Sequence, residues 1–189
     1  MICRSFKMSA VSLVFFMAFS YAARAQVINR SLEANATMSF NSQSGIDSNR
    51  HTSFGASGAY DRFGKVALLG EFVYQPMGST FAERDSMELV GAGARYYLRP
   101  SSKICPYVVG IGGYAHYNQN SIGLGKNTGT HSGYFAAGGG ANLYMTENIG
   151  IRPELRYERD MFTASALSFN SVRGSISVFY VFGGSSAKK

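Results

Sequence analysis

Gly150-Ile-Arg-Pro-Glu-Leu-Arg-Tyr-Glu-Arg159 is the stretch whose reading decides the fold. Arg152, Glu154, Arg156 and Glu158 share one parity, while Ile151, Pro153, Leu155 and Tyr157 share the other. Side chains of a β-strand alternate faces, so one face of such a strand is ionic and the opposite face apolar. Two solvents are compatible with that pattern. In a water-soluble sandwich or barrel the apolar face turns inward. In a barrel that spans a membrane the apolar face meets lipid and the ionic face fills the interior.

The same alternation extends outward from this stretch. The sequence predicts eight strands of about 9–12 residues, the length a tilted strand needs to cross a bilayer. In Ser31–Asn41, Leu32, Ala34, Ala36, Met38 and Phe40 face one way, against Glu33, Asn35, Thr37 and Ser39. Thr52–Asp61 carries Phe54, Ala56, Gly58 and Tyr60 on its apolar side. Lys65–Gln75 sets Val66, Leu68, Phe72 and Tyr74 against Lys65, Glu71 and Gln75. Met87–Leu98 sets Val90, Ala92, Ala94, Tyr96 and Leu98 against Gly91, Gly93 and Arg95. Pro106–Tyr117 is expected to turn Tyr107, Val109, Ile111 and Tyr117 to the apolar side, with Tyr114 and His116 opposite. Gly133–Met145 offers Phe135, Ala137, Ala141 and Leu143 outward and Tyr134, Asn142 and Tyr144 inward. The eighth strand, Ser171–Phe182, turns Val172, Ile176, Val178, Tyr180 and Phe182 away from Arg173, Ser175 and Ser177.

Connections alternate in length. Short links are expected near Asp61–Gly64, Arg99–Cys105 and Thr146–Ile149, and longer polar ones near Ser42–His51, Pro76–Ser86, Asn118–Ser132 and Asp160–Asn170. That alternation belongs to an all-β, antiparallel, up-and-down barrel with both termini on the short-turn side. The charges agree: Glu33, Asp61, Lys65, Glu71, Arg95, Arg152, Glu154, Arg156, Glu158 and Arg173 fall on the polar parity. Glu88 and Arg159 break the rule only at the loop ends of their strands. An Arg or Lys facing the lipid midplane costs about 2–4 kcal/mol and almost nothing at the interface, so this distribution is what a bilayer selects.

Residues 1–25 read as an export signal. Arg4 and Lys7 open it, Met8 to Ala22 is apolar or small, and Ala23-Arg24-Ala25 forms a cleavage site before Gln26. Losing Arg4, Lys7 and Arg24, and no acidic residue, takes the formal charge from +7 to +4 and leaves a single domain over residues 26–189. Nucleic-acid binding gains no support, since no basic run or recognition motif is present. Cys105 is the one cysteine beyond the signal, so stability is expected from packing and backbone pairing rather than an internal disulfide.

Three stretches carry a family resemblance: Gly91-Ala-Gly-Ala-Arg-Tyr-Tyr-Leu98, Pro106-Tyr-Val-Val-Gly-Ile-Gly-Gly-Tyr114 and Ile151-Arg-Pro-Glu-Leu-Arg-Tyr157. Through them the chain resembles the small eight-stranded outer-membrane barrels of Gram-negative bacteria, the OmpA-like and OmpX-like group. The end of the last strand, Ser175-x-Ser177-x-x-Tyr180-x-Phe182, is similar to the signal such barrels show their assembly machinery, with Ser177 in place of the usual Gly. The resemblance implies outer-membrane lipid, periplasmic chaperones and the barrel-assembly machinery as partners. No wall-binding domain follows the barrel, so that role of longer relatives is not carried over.

An eight-stranded barrel is filled by its own side chains. Glu71, Arg95, Arg152, Glu154, Arg156, Glu158 and Arg173 are therefore the expected interior ion-pair network, since buried charges survive only when paired. A gate or proton path is the functional alternative for the same residues. No cofactor is expected. Gly110-Ile-Gly-Gly113 and Gly138-Gly-Gly140 lie within strands, and Asn127 follows Gly125-Lys126 where a phosphate loop needs Ser or Thr. Lipid A deacylation, an activity of some outer-membrane barrels, needs a His-x-Ser pair with an orienting acid; His51-x-Ser53 has the spacing but begins the second strand and lacks the acid. His51, His116 and His131 are scattered in sequence and show no metal-ligand spacing. Specific activity then falls to the loops. Ser42–His51 and Asn118–Ser132, rich in Ser, Asn and Gly around Ile46, Ile122 and Leu124, suit a surface ligand or adhesion. A narrow channel, an adhesin and an exported soluble ligand-binding barrel remain open as alternatives.

Overall fold

The computed structural model describes residues 31–44, 50–61, 64–77, 83–100, 104–121, 126–161 and 170–182; the expected signal segment lies outside them. They form eight strands: β1 (Ser31–Ser44), β2 (Arg50–Asp61), β3 (Val66–Met77), β4 (Glu83–Tyr97), β5 (Ile104–Ser121), β6 (Lys126–Tyr144), β7 (Ile149–Met161) and β8 (Asn170–Phe182). Each pairs antiparallel with its sequence neighbours, and β1 closes the barrel on β8 through Leu32↔Phe182 to Ser44↔Asn170. Closure removes both sheet edges, so every strand has a backbone partner on each side.

The described residues begin, at Ser31, and end, at Phe182, at one rim, the turn end. There the Gly64 N–H donates to Asp61 Oδ1 (3.2 Å), and Gly64 takes a positive φ of 69° that an L side chain resists. In the β6–β7 turn, Thr146 Oγ1 accepts from the N–H groups of Asn148 and Ile149, while Asn148 Nδ2 ties the turn to the Val181 carbonyl of β8 (2.7 Å).

Orientation is settled by exposure: Leu155 is 60 % exposed and Ile176 59 %, whereas Arg156 is 6 % and Arg152 1 % exposed. Every strand turns large apolar side chains outward, so an apolar surface runs all around the cylinder. Tyr60, Tyr96, Tyr180 and Phe182 lie on that surface toward the turn end, and Phe54, Tyr74, Tyr114 and Tyr157 toward the loop end. Two aromatic rows bounding an aliphatic band are the exterior of a membrane barrel.

Three expectations need correction. β5 faces the other way: Tyr107, Val109 and Ile111 are buried inside, and Tyr114 is exposed outside. Tyr107 and Tyr117, expected on the outer side, therefore point inward, and Tyr114 joins the outer surface. Pro106–Tyr117 carries no acid, Lys or Arg on either parity, so its two faces differ little in transfer free energy, and the register of its neighbours decides. Lys65 is not an interior residue; it is exposed in the β2–β3 turn. The segment Asn118–Ser132, expected as a long loop, is mostly paired strand, since β5–β6 pairing continues to Ser121↔Lys126. Ile46, Ile122 and Leu124 lie outside the described residues.

The interior has two kinds of wall. Leu69, Val73, Leu89, Val109 and Ile111 make β3–β5 largely apolar inside, broken by Glu71, Gln75 and Arg95, and the long charged side chains of β7 and β8 reach across toward them. Glycine supplies room where a ring must cross. A Cβ at Gly91 would collide with the Tyr134 hydroxyl, and one at Gly113 would stand 2.6 Å from Tyr134 Cε1.

Candidate functional site

The barrel axis is occupied by a continuous polar chain. Glu33 on β1 is its anchor toward the turn end. Its Oε1 accepts from Arg95 Nη1 (3.2 Å) and its Oε2 from Arg152 Nη2 (2.6 Å). Arg152 Nε also donates to Asn142 Oδ1 (2.7 Å), and Arg95 donates to the Tyr97 hydroxyl (3.2 Å). Aromatic faces cover both guanidiniums: Arg95 lies 4.8 Å from the Tyr107 centroid and Arg152 4.6 Å from that of Phe179. Such stacking lets a weakly hydrated planar cation lie against apolar surface.

Tyr107 carries the chain upward by donating to Glu154 Oε2 (2.6 Å). Glu154 Oε1 meets Arg156 Nε at 2.5 Å, and Arg156 Nη1 donates to Glu71 Oε2 (2.7 Å). Glu71 Oε1 further accepts from Arg173 Nη2 and from the Tyr134 hydroxyl, both at 3.3 Å. Arg173 Nη2 then lies 2.9 Å from Glu158 Oε1. Four arginines and four glutamates thus balance in charge along the axis. All are buried, so each pair acts in a low effective dielectric, where losing one partner costs far more than at a surface.

The seven residues expected to form the interior network, Glu71, Arg95, Arg152, Glu154, Arg156, Glu158 and Arg173, are all brought together here. Glu33 was on the polar parity but outside that set, although it holds two of the four arginines. Asn142, Tyr107 and Tyr134 were missed as members. For Tyr107 no signal existed, because its strand gives no facing preference. Tyr134 was readable from the surrounding glycines.

At the turn end the passage narrows onto rings. Tyr97 meets Tyr107 edge-on at 6.2 Å, and Tyr144 meets Phe179 edge-on at 5.2 Å. With Arg95 and Arg152 immediately above, this stacks aromatic and ionic plugs in series.

The His51-x-Ser53 pair lies on the inner face of β2. Ser53 is wholly buried, and its Oγ accepts from Asn41 Nδ2 (3.3 Å), which also donates to Gln75 Oε1. At the opposite rim β5 and β6 are the longest strands, 18 and 19 residues. Their pairing runs seven positions past Tyr114↔Gly133, about 23 Å of ribbon. Asn118, Asn120, Ser121, Lys126, Asn127, Thr128 and Thr130 lie along it, and the Tyr117 hydroxyl ties its base to Asp85 Oδ2 on β4 (2.6 Å).

No protein-family model matches the sequence, and no curated protein sequence does. Solved structures do resemble it. Neisserial surface protein A aligns over 79 % of this chain and 95 % of its own, with a TM-score of 0.64 and 17 % identity. Outer membrane protein OprG from Pseudomonas aeruginosa aligns over 85 % and 99 %, with a TM-score of 0.57 and 10 % identity. Ail, the attachment invasion locus protein of Yersinia pestis, aligns over 82 % and 100 %, with a TM-score of 0.55 and 16 % identity. Together with the lipid-facing belt and the ionic interior, these likenesses establish the fold: the chain is an eight-stranded β-barrel of the outer-membrane type.

Proposed function

We propose that this protein is a closed, non-catalytic scaffold in the outer membrane that presents the β5–β6 ribbon as a contact surface outside the cell. The projecting ribbon is the observation that carries this reading. A strand needs about 9–11 residues to cross the bilayer, and β5 and β6 continue well past that length as polar, hydrogen-bonded backbone. The pairing fixes the backbone of this ribbon before any contact is made, so less entropy is lost on binding, which favours recognition over simple solvation. The ionic and aromatic plugs support a scaffold rather than a channel. The packing of Ser53 among amides supports a non-hydrolytic role.

Adhesion is the preferred form of that contact. Ail, which shares the fold, is named for attachment and invasion, and it has also been solved with the heparin analogue sucrose octasulfate. Lipid on the belt, periplasmic chaperones, and assembly machinery reading the Phe182 end of β8 complete the proposed partners. The deciding experiment replaces residues 118–129 with a tight turn in the full chain displayed on bacterial cells. Attachment to host-cell monolayers is expected to fall to background while heat-modifiable gel migration is retained. Unchanged attachment by a folded, truncated barrel would sink the reading.

A further inference from the structure

On the outer face of the barrel, just beyond the loop-end aromatic row, β5 and β6 place His116 directly opposite His131. Residues that are scattered in sequence become neighbours through strand register. Their Nδ1 atoms stand 2.8 Å apart, and the rings stack at 4.4 Å with 22° between planes. Tyr114 stacks on the far side of His131 at 5.3 Å, which limits the travel of that ring. Beside His116 lies Gly129, where even a Cβ would come within 2.9 Å of His116 Cε1. Glycine there leaves the imidazole its position. On the other flank, Glu88 of β4 is the register partner of His116, on the same outward face. Directly opposed residues have Cβ atoms about 4.5–5.5 Å apart, which makes Glu88 a neighbour of His116 on this face.

We propose that His116 and His131 form a binding site for a divalent transition-metal ion on the outer rim. Imidazole nitrogens bind such ions at about 2.0–2.1 Å, so two donors at right angles around one ion lie about 2.9 Å apart. The observed 2.8 Å is a hydrogen bond in which one ring's Nδ1–H donates to the other's Nδ1, and an ion held cis by the two nitrogens would take the place of that shared proton with little change in their separation. The stacked rings carry their Nδ1 lone pairs in nearly parallel planes, so binding one ion requires the rings to turn about their Cβ–Cγ bonds and give up the hydrogen bond between them. Right-angle donors are those of tetragonal sites, which favour Cu2+ or Ni2+ over tetrahedral zinc. Among the described residues no group of three or more His, Cys, Asp and Glu side chains is arranged to hold a metal, so two protein nitrogens define the site and solvent completes its shell.

Cu2+ is the probe of choice, because it binds nitrogen donors most tightly among the divalent first-row ions. The full-length mature barrel, refolded in detergent, is titrated with Cu2+ and followed by calorimetry and electron paramagnetic resonance. One ion per chain is expected, with hyperfine structure from two imidazole nitrogens. His116→Ala and His131→Ala should each weaken binding roughly tenfold or more and remove one nitrogen from the spectrum. His51→Ala, a change on the inner face, should leave both unchanged. Heat-modifiable migration verifies that each variant is folded. Absence of saturable binding, or a two-imidazole signal that survives either outer-face substitution, overturns the assignment.

Discussion

Glu33 shows how much one carboxylate can hold in a narrow barrel. It accepts from Arg95 and Arg152, which are each 1 % exposed. Removing its charge leaves two guanidiniums buried around a single neutral amide. Glu33→Gln is therefore expected to destabilise the barrel by about 3–5 kcal/mol, the range for breaking a buried ion pair. Urea unfolding in lipid vesicles measures it, and a loss below 1 kcal/mol would mean that solvent reaches this level of the interior. The charged partners were legible because Arg and Glu on one strand parity have nowhere else to go in a bilayer. The hub was not legible. Parity gives a residue its face, but only the closure of β1 on β8 brings Glu33 over Arg152, 119 positions later. Gly91 illustrates the converse, a residue whose role is to lack a side chain. Gly91→Leu should displace Tyr134 from Glu71 and lower stability by about 1–3 kcal/mol, as overpacking generally does, measured by the same urea unfolding.

For whole strands, the ionic contrast between faces decides how well sequence predicts orientation. β7, with Arg or Glu at four interior positions, is unambiguous, and so is β8 with Arg173. β5 is apolar or aromatic on both faces along Pro106–Tyr117, and there the alternation predicts the wrong side. Hydrogen bonding supplies what hydropathy lacks: turned inward, the Tyr107 hydroxyl meets buried Glu154, while Ile111 fills the space that Gly91 leaves open. Loop lengths were overestimated for a related reason, because a polar ribbon beyond the membrane carries no hydrophobic alternation to mark it as strand. Spin labels test the facing of β5. Labels at Val108 and Gly112 should show high accessibility to oxygen dissolved in the lipid, and labels at Val109 and Ile111 low accessibility; the opposite pattern would return the strand to its sequence-based orientation. Depth along the belt follows the same logic. Ile176→Arg, near the middle of β8, should cost about 2–4 kcal/mol, whereas Tyr114→Arg, near the loop-end interface, should cost about 0–1 kcal/mol.

At the scale of the molecule, the interior network and the exterior belt solve one problem between them. A bilayer demands an apolar outside. The pleat then sends every second residue of each strand into a space too narrow for bulk water, and charge can stay there only as a balanced set of pairs. The consequence we propose for function is a closed axis. Arg95 and Arg152 are pinned to Glu33 and cushioned by Tyr107 and Phe179, and just beneath them the Tyr97–Tyr107 and Tyr144–Phe179 contacts fill the turn end. An ion moving along the axis would have to break these pairs while shedding its own hydration, in a region where charges are weakly screened. Planar bilayers containing the intact barrel should therefore show no discrete conductance steps at moderate voltage. Truncating the plug as a balanced set, Glu33→Ala with Arg152→Ala, removes one acid and one base and leaves Arg95 near the remaining acid Glu154 through Tyr107. If the plug is what closes the axis, this double variant should admit a file of water and give small steps, while the outer belt keeps it inserted. Silence from both proteins would assign closure to the aromatic layer below, and steps from the intact chain would replace the scaffold reading with that of a narrow channel.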